Sequence, residues 1–246
     1  MRVGASILSG MLIGIACMAS ISAGGGVLGA LFFPVGLIAI ILLGLPLYTG
    51  RIGYISEPQE AKGLAAMLLL NMIGAGWVGL AYRLYHGEVS AIARKLAKPL
   101  YIAFLDALLC GILIYAAVEG YRRSKSILAI LFPIAAFVLI GAEHCVADAF
   151  YLAAGISAEN ILYSLLWLVT VVAGNAVGAI ILNAVSREEK MMTNADRIRA
   201  MSTEELARWL VYHRANVRLT GNRTIGEPAV KAALEWLKEE AEVNAE

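Results

Sequence analysis

The chain joins two kinds of sequence end to end, and the join limits what it can fold into more than any other feature. Residues 1–186 hold only 18 charged side chains, whereas the much shorter stretch 187–246 holds 21. Within the first part, residues 5–23, 27–43, 64–82, 100–118 and 161–185 are apolar runs. Each approaches the roughly 20 residues that a helix needs to cross a bilayer. The fourth run carries one acid, Asp106, and the other four carry no charge. A sixth run, 127–153, is interrupted by Glu143, His144 and Asp148. Charged residues make up 16% of the chain, against about 25% in soluble domains. One ordinary soluble domain is therefore excluded, as are a disordered chain, a collagen and a disulfide scaffold. The expected fold is an all-α membrane protein, with a six-helix transmembrane domain over 1–186 and a small soluble helical tail over 187–246.

Arg2 before an apolar run could mimic a secretory leader. A second membrane run follows at once, so 5–23 is read as the first span. Net charge is +2 for the first part and −1 for the tail, too little for a nucleic-acid partner. Cys17, Cys110 and Cys145 sit in apolar runs without CxxC spacing and read as small apolar fillers. Lys and Arg mark the cytoplasmic side of a membrane protein. Arg2, Arg51, Lys62, Arg122, Arg123, Lys125, Arg187 and Lys190 share one side if both termini are cytoplasmic. Arg83, Arg94, Lys95 and Lys98 then lie outside. Of these, Arg94, Lys95 and Lys98 read as bases of an interfacial segment reaching for water, with attraction of anions to the outer mouth as the second reading.

The apolar part repeats itself. Leu31-Phe32-Phe33-Pro34 opens a stretch ending at Gly44, and Leu131-Phe132-Pro133 opens one ending at Gly141. Asn71-Met72-Ile73-Gly74-Ala75 is echoed by Asn175-Ala176-Val177-Gly178-Ala179. The echoes fall in spans 2 and 5 and in spans 3 and 6. Two halves of three spans have opposite topology, the inverted-repeat plan of many transporters. Spans 2 and 5 share a flaw. One runs into Gly44-Leu45-Pro46-Leu47-Tyr48-Thr49-Gly50, the other into Gly141-Ala142-Glu143-His144-Cys145. Proline removes a donor and glycine weakens a helix. Broken helices at membrane depth survive only where they are buried in protein or line a cavity, so both breaks point at the functional site. Asn71 and Asn175 are placed to bond the broken backbone, or to line a pathway beside it.

At these residues the sequence resembles the formate/nitrite transporter family. The resemblance rests on Phe132 to Phe137 followed by Gly141 to Asp148, on Gly44 to Gly50, and on the paired Asn-x-x-Gly-Ala segments; it covers about residues 3–186. It implies a homopentamer of six-helix, aquaporin-like subunits, each with its own pore for small monovalent anions of weak acids. It places Phe33, Leu37 and Phe137 at constrictions, and Leu47, Tyr48 and Thr49 on a loop narrowing the pore from the other side. His144 matches the central histidine, and Asp148 stands where the family usually has Asn. The sequence departs from the family pattern at Leu45, Pro46, Gly111 and Ser126. No cofactor is implied.

The expected substrate pathway thus includes His144, Thr49, Phe33, Leu37, Leu47, Tyr48, Phe137, Asp148, Asn71 and Asn175. An anion entering an apolar constriction loses its water unless its charge is compensated or neutralised. A histidine offers both routes: the neutral ring donates a hydrogen bond, and imidazolium donates a proton. The expected function is a multi-pass channel or proton-coupled transporter of the cytoplasmic (inner) membrane, with both termini cytoplasmic. Its partners are the anion, membrane lipid and four further copies of itself. Two rivals stand: a membrane-embedded enzyme using Glu143, His144, Cys145 and Asp148, and an aquaporin-type pore for neutral solutes. Adjacent Cys and His side chains diverge on a helix, and paired Asn-Pro-Ala segments are missing. In the tail, Ser202 and Glu205 form a capping box opening one amphipathic helix. Pro228 is expected to open a second, with Val230, Leu234, Leu237 and Ala241 on one face.

Overall fold

The computed structural model describes residues 2–155, 161–188, 198 and 200–218. Its helices are α1 (Val3–Ser22), α2 (Gly26–Phe32), α3 (Pro34–Leu42), α4 (Glu60–His86), α5 (Ala91–Leu96), α6 (Leu100–Ser124), α7 (Leu128–Leu139), α8 (Cys145–Gly155), α9 (Ile161–Glu188) and α10 (Thr203–Arg218), with one 3-10 turn at Ile52–Tyr54. No strand occurs among the described residues. Four helices are long and apolar enough to cross a membrane: α1, α4, α6, and α9 as far as Ser186. The expected spans 2 and 5 consist of shorter apolar pieces. Pro34 has no N–H, so the ladder skips a bond where α2 meets α3, yet Phe33 keeps α-helical angles.

The two breaks are built alike. At the end of α3, Gly44 adopts φ 61°, and Leu45 N–H donates to Ile40 C=O at 2.9 Å. At the end of α7, Gly141 adopts φ 69°, and Ala142 N–H donates to Phe137 C=O at 3.0 Å. Both are left-handed caps in which glycine carries no Cβ penalty and the last carbonyls are satisfied. The chain then runs without helix to the turn at Ile52 in one half and to Cys145 in the other.

The same helix crossing also occurs twice. A methyl group on Gly10 of α1 would stand 1.8 Å from Asn71 O, and one on Gly74 of α4 2.0 Å from Ile7 O. One on Gly111 of α6 would stand 2.2 Å from Asn175 O, and one on Gly178 of α9 2.1 Å from Leu108 O. Backbones that close need glycine. The register of the repeat follows. Gly10 maps to Gly111, Asn71 to Asn175, and Gly44 to Gly141, at separations of 101, 104 and 97 residues. The Phe-Pro echo read from the sequence does not belong to it. Phe33-Pro34 and Phe132-Pro133 are 99 residues apart, two out of register with the caps that end their helices.

Residues 187–246 form a separate compact unit. Its described helix α10 has the expected capping box. Ser202 N–H donates to Glu205 Oε2 at 2.9 Å, and Glu205 N–H donates to Ser202 Oγ at 3.2 Å. The bond from the Ser202 amide holds the Glu205 carboxyl below its usual range. The expected second tail helix from Pro228 lies outside the described residues.

Candidate functional site

Both broken loops hang from a buried asparagine. Asn71 Oδ1 accepts from Tyr48 N–H at 2.8 Å, while its Nδ2 donates to Ser6 C=O at 2.7 Å and Pro46 C=O at 3.1 Å. Asn175 Oδ1 accepts from Cys145 N–H at 2.9 Å, while its Nδ2 donates to Ala107 and Glu143 C=O, both at 2.8 Å. Each amide thereby spends both of its N–H donors on backbone carbonyls and accepts one backbone N–H. No donor is left over for a passing anion, so of the two expectations for Asn71 and Asn175 the backbone role is the one these contacts support. Gly111, a departure from the family pattern, is required by the same crossing, because its missing Cβ lets α6 reach Asn175.

The loops meet at Thr49 and His144. Ala147 N–H donates to His144 Nδ1 at 3.0 Å, so the ring caps the N-terminus of α8. A bare Nδ1 puts the proton of the neutral ring on Nε2. Nε2 lies 3.1 Å from Thr49 Oγ1, to which it donates in that tautomer. The Thr49 hydroxyl hydrogen remains to be given elsewhere. The ring stacks on Phe137 with centroids 6.0 Å apart, and Phe137 meets Phe33 edge-on at 5.4 Å. Phe33, Leu37, Leu47, Tyr48, Thr49, Phe137 and His144 are all buried. Phe33, Phe137, His144 and Thr49 therefore form one contact chain from four places in the sequence. Neither nitrogen of His144 faces the Cys145 thiol, which removes the nucleophile–base pair an enzyme would need.

A profile of the formate/nitrite transporter family matches residues 3–187. The chain belongs to the formate/nitrite transporter family. It is 32% identical over 156 residues to an uncharacterized transporter of Bacillus subtilis, a match covering 54% of this chain and 59% of that protein. It is 30% identical over 198 residues to a probable formate transporter of Methanothermobacter thermautotrophicus, covering 64% and 72%. It is 32% identical over 180 residues to a formate channel of Bacillus thuringiensis, covering 62% and 68%. In the first of these the match spans less than two thirds of the relative's length. Among solved structures, an ion channel of the formate/nitrite transporter family superposes with a TM-score of 0.69 at 22% identity, over 77% of this chain and 89% of the other. A pentameric formate channel with formate bound superposes at 0.64 and 23%, over 77% and 96%. The fold is that of the family's channels, and the protein is a membrane protein.

Beside the transporter-family site lies a cluster of charges that the sequence reading misplaced. Lys95 and Lys98 are not bases reaching for water. Lys95 Nζ binds Glu143 Oε2 and, at 2.9 Å, Asp148 Oδ1. Lys98 Nζ binds Asp106 Oδ2 at 2.6 Å, Glu143 Oε1 at 2.9 Å and the Gly141 carbonyl at 3.1 Å. Glu143 and Asp148 are wholly buried, and a buried carboxylate that costly to desolvate needs its counter-ion. The α5 segment thus turns inward and clamps the loop that carries His144. Asp148 spends one oxygen on Lys95; the other is buried with no hydrogen-bond partner among the described residues. The clue in the sequence was the spacing of Lys95, in the last turn of α5, and Lys98, in the turn just beyond it. A second tether was not anticipated: Tyr54 OH donates to Glu119 Oε2 at 2.9 Å, tying the end of the Thr49 loop to α6.

Proposed function

We propose that the protein is a channel for small monovalent anions of weak acids, of formate, nitrite or hydrosulfide type. It works as a homopentamer in the cytoplasmic membrane, both termini cytoplasmic, with one pathway per subunit. The observation that carries this reading is the Thr49–His144 contact between two broken helices, walled by Phe33 and Phe137. Apolar rings hold back hydrated and bulky solutes. Where they end, the Thr49 hydroxyl hydrogen, unused in its contact with His144, supplies a donor to an anion stripped of water, and His144 Nε2–H supplies a second when it turns from Thr49 to the anion. Leu37, Leu47 and Tyr48 narrow the same path, while Asn71 and Asn175 hold its two loops. Asp148 with Lys95 sets the field around His144.

The geometry favours the hydrogen-bond route over proton donation. To give up a proton, His144 must first be imidazolium, which puts a hydrogen on Nδ1. That hydrogen would point at the Ala147 N–H that now donates to the same atom. The neutral ring fits both of its contacts. Flux assays in proteoliposomes with formate, nitrite, hydrosulfide and glycerol test the reading. The anions should pass and glycerol should not. His144→Leu should lower anion flux about tenfold or more, the cost of losing one donor to a charge. His144→Asn, which keeps a donor and cannot exchange a proton, should stay within a few-fold of wild type. An asparagine variant as poor as the leucine variant would show that the proton itself is needed. Equal fluxes in all three proteins, or free passage of glycerol, would overturn the channel reading.

A further inference from the structure

A cavity of about 490 Å³ opens beside the first broken loop, and none of Phe33, Phe137, Thr49 or His144 lines it. Its apolar wall includes Ile55, Leu64 and Met67, and its charged wall is Arg2, Arg51 and Glu60. Glu60 is already engaged: its Oε2 accepts from Ser56 N–H at 2.9 Å and from Ser56 Oγ and Glu57 N–H, each at 3.4 Å. Neither arginine forms an ion pair or a side-chain hydrogen bond among the described residues. The charged wall thus carries two positive charges against one negative, and neither arginine is paired with Glu60.

The repeat shows that this space is particular to one half. Gly63, which lines the cavity, maps by the α4-to-α9 separation of 104 residues onto Trp167, which is fully buried. Arg51 maps by the loop separation of 97 residues onto Asp148. In the second half the place is filled by an indole, and the charge at Asp148 is met by Lys95. In the first half a glycine leaves room, and Arg51, which is exposed, has no ion-pair partner among the described residues. A volume of this size lies in the range of small-molecule sites, about 300–1,000 Å³, and far exceeds a triatomic anion.

We propose that this cavity binds a phosphate or carboxylate group carried on an apolar chain, with Arg2 and Arg51 holding the anion and Ile55, Leu64 and Met67 the chain. Guanidinium forks suit such planar or tetrahedral oxyanions. Two sources share this chemistry: the headgroup of an anionic membrane lipid, and a soluble anion. The site is independent of what the channel carries.

Native mass spectrometry of the full-length protein, with phosphatidylglycerol or phosphatidylcholine added, tests the first source. Thermal unfolding of delipidated protein with inorganic phosphate tests the second. The variants are Arg2→Gln/Arg51→Gln, and Gly63→Trp, which copies the other half. A Cβ at Gly63 meets nothing within 4 Å, so the backbone has room for a side chain there, and a circular-dichroism melt of the variant checks that it is folded. Retention of phosphatidylglycerol over phosphatidylcholine, reduced about tenfold or more in both variants, supports the site with a lipid source. Stabilisation by phosphate that both variants abolish supports it with a soluble source. Lys62→Gln, an exposed base at the same end of α4, is the control. If it weakens binding as much as the arginine pair does, or if Gly63→Trp binds both probes like wild type, the attraction is diffuse and the proposal fails.

Discussion

Arg94 and Lys95 are neighbours of like charge on one short helix, and they do unlike work. Arg94 is exposed, whereas Lys95 is bound to Glu143 and Asp148 beneath it. Removing one partner of a buried ion cluster leaves an uncompensated charge, at a cost of about 3–5 kcal/mol. Lys95→Met should therefore lower the thermal unfolding temperature in detergent sharply. Arg94→Met should leave it almost unchanged, as surface substitutions do, within about 0.5 kcal/mol. Equal effects would mean the cluster does not hold the loop. The sequence could not separate the two bases, because snorkelling and inward pairing give the same charge pattern along a short amphipathic segment. His144 was legible for the opposite reason: an ionisable residue at a helix break inside an apolar run has few places to go. Its partner Thr49 lies 95 residues away, and no local rule links the pair.

The breaks of α3 and α7 could be placed because glycine marks both of them, and the caps at Gly44 and Gly141 need its positive φ. The Phe-Pro echo misled for an equally physical reason. Proline is tolerated near the start of one helix and inside another, so its recurrence fixes no register. The Asn-x-x-Gly-Ala echo already carried the register of α4 against α9; that of α1 against α6, Gly10 against Gly111, shows only where their glycines meet the asparagine carbonyls. These two uses of glycine predict different outcomes. Gly141→Ala has open space for its Cβ and meets only left-handed backbone strain, about 1–2 kcal/mol. Gly111→Ala puts a methyl 2.2 Å from Asn175 O, so α6 must move off α9 and the loop at Cys145 loses its anchor. It should be the more damaging substitution, beyond the usual 1–3 kcal/mol of overpacking. Gly4→Ala, with nothing near it, is the neutral control. Thermal unfolding of the three variants in detergent checks the order Gly111, Gly141, Gly4. An alanine at 111 as benign as at 4 would refute the crossing.

At the scale of the molecule, the membrane-crossing helices and α2 expose many large apolar side chains. Trp77, Leu80, Leu84 and Tyr85 stand out on α4, Leu162 and Val169 on α9, and Val27 and Phe32 on α2. Such a surface faces either lipid or another copy. Composition cannot tell these apart, because hydrocarbon tails are as apolar as leucine and association rests on close packing instead. That is why six apolar runs and two halves were legible while the assembly entered only through a family resemblance. The small-residue surfaces of α1, α4, α6 and α9 are already spent within the subunit, on Gly10, Gly74, Gly111 and Gly178. In the proposed pentamer, contacts between copies would therefore use the larger exposed side chains, which bury more area. Native mass spectrometry should then give a dominant species of five times 26.2 kDa, with little monomer. Because residues 187–246 form their own compact unit, a chain ending at Ser186 should assemble to the same number of copies. Monomers or tetramers from the full-length chain would rule out the pentamer. Five copies from the full chain but monomers from the shortened one would instead place the assembling contacts in the tail, and leave the apolar faces of α4 and α9 to lipid.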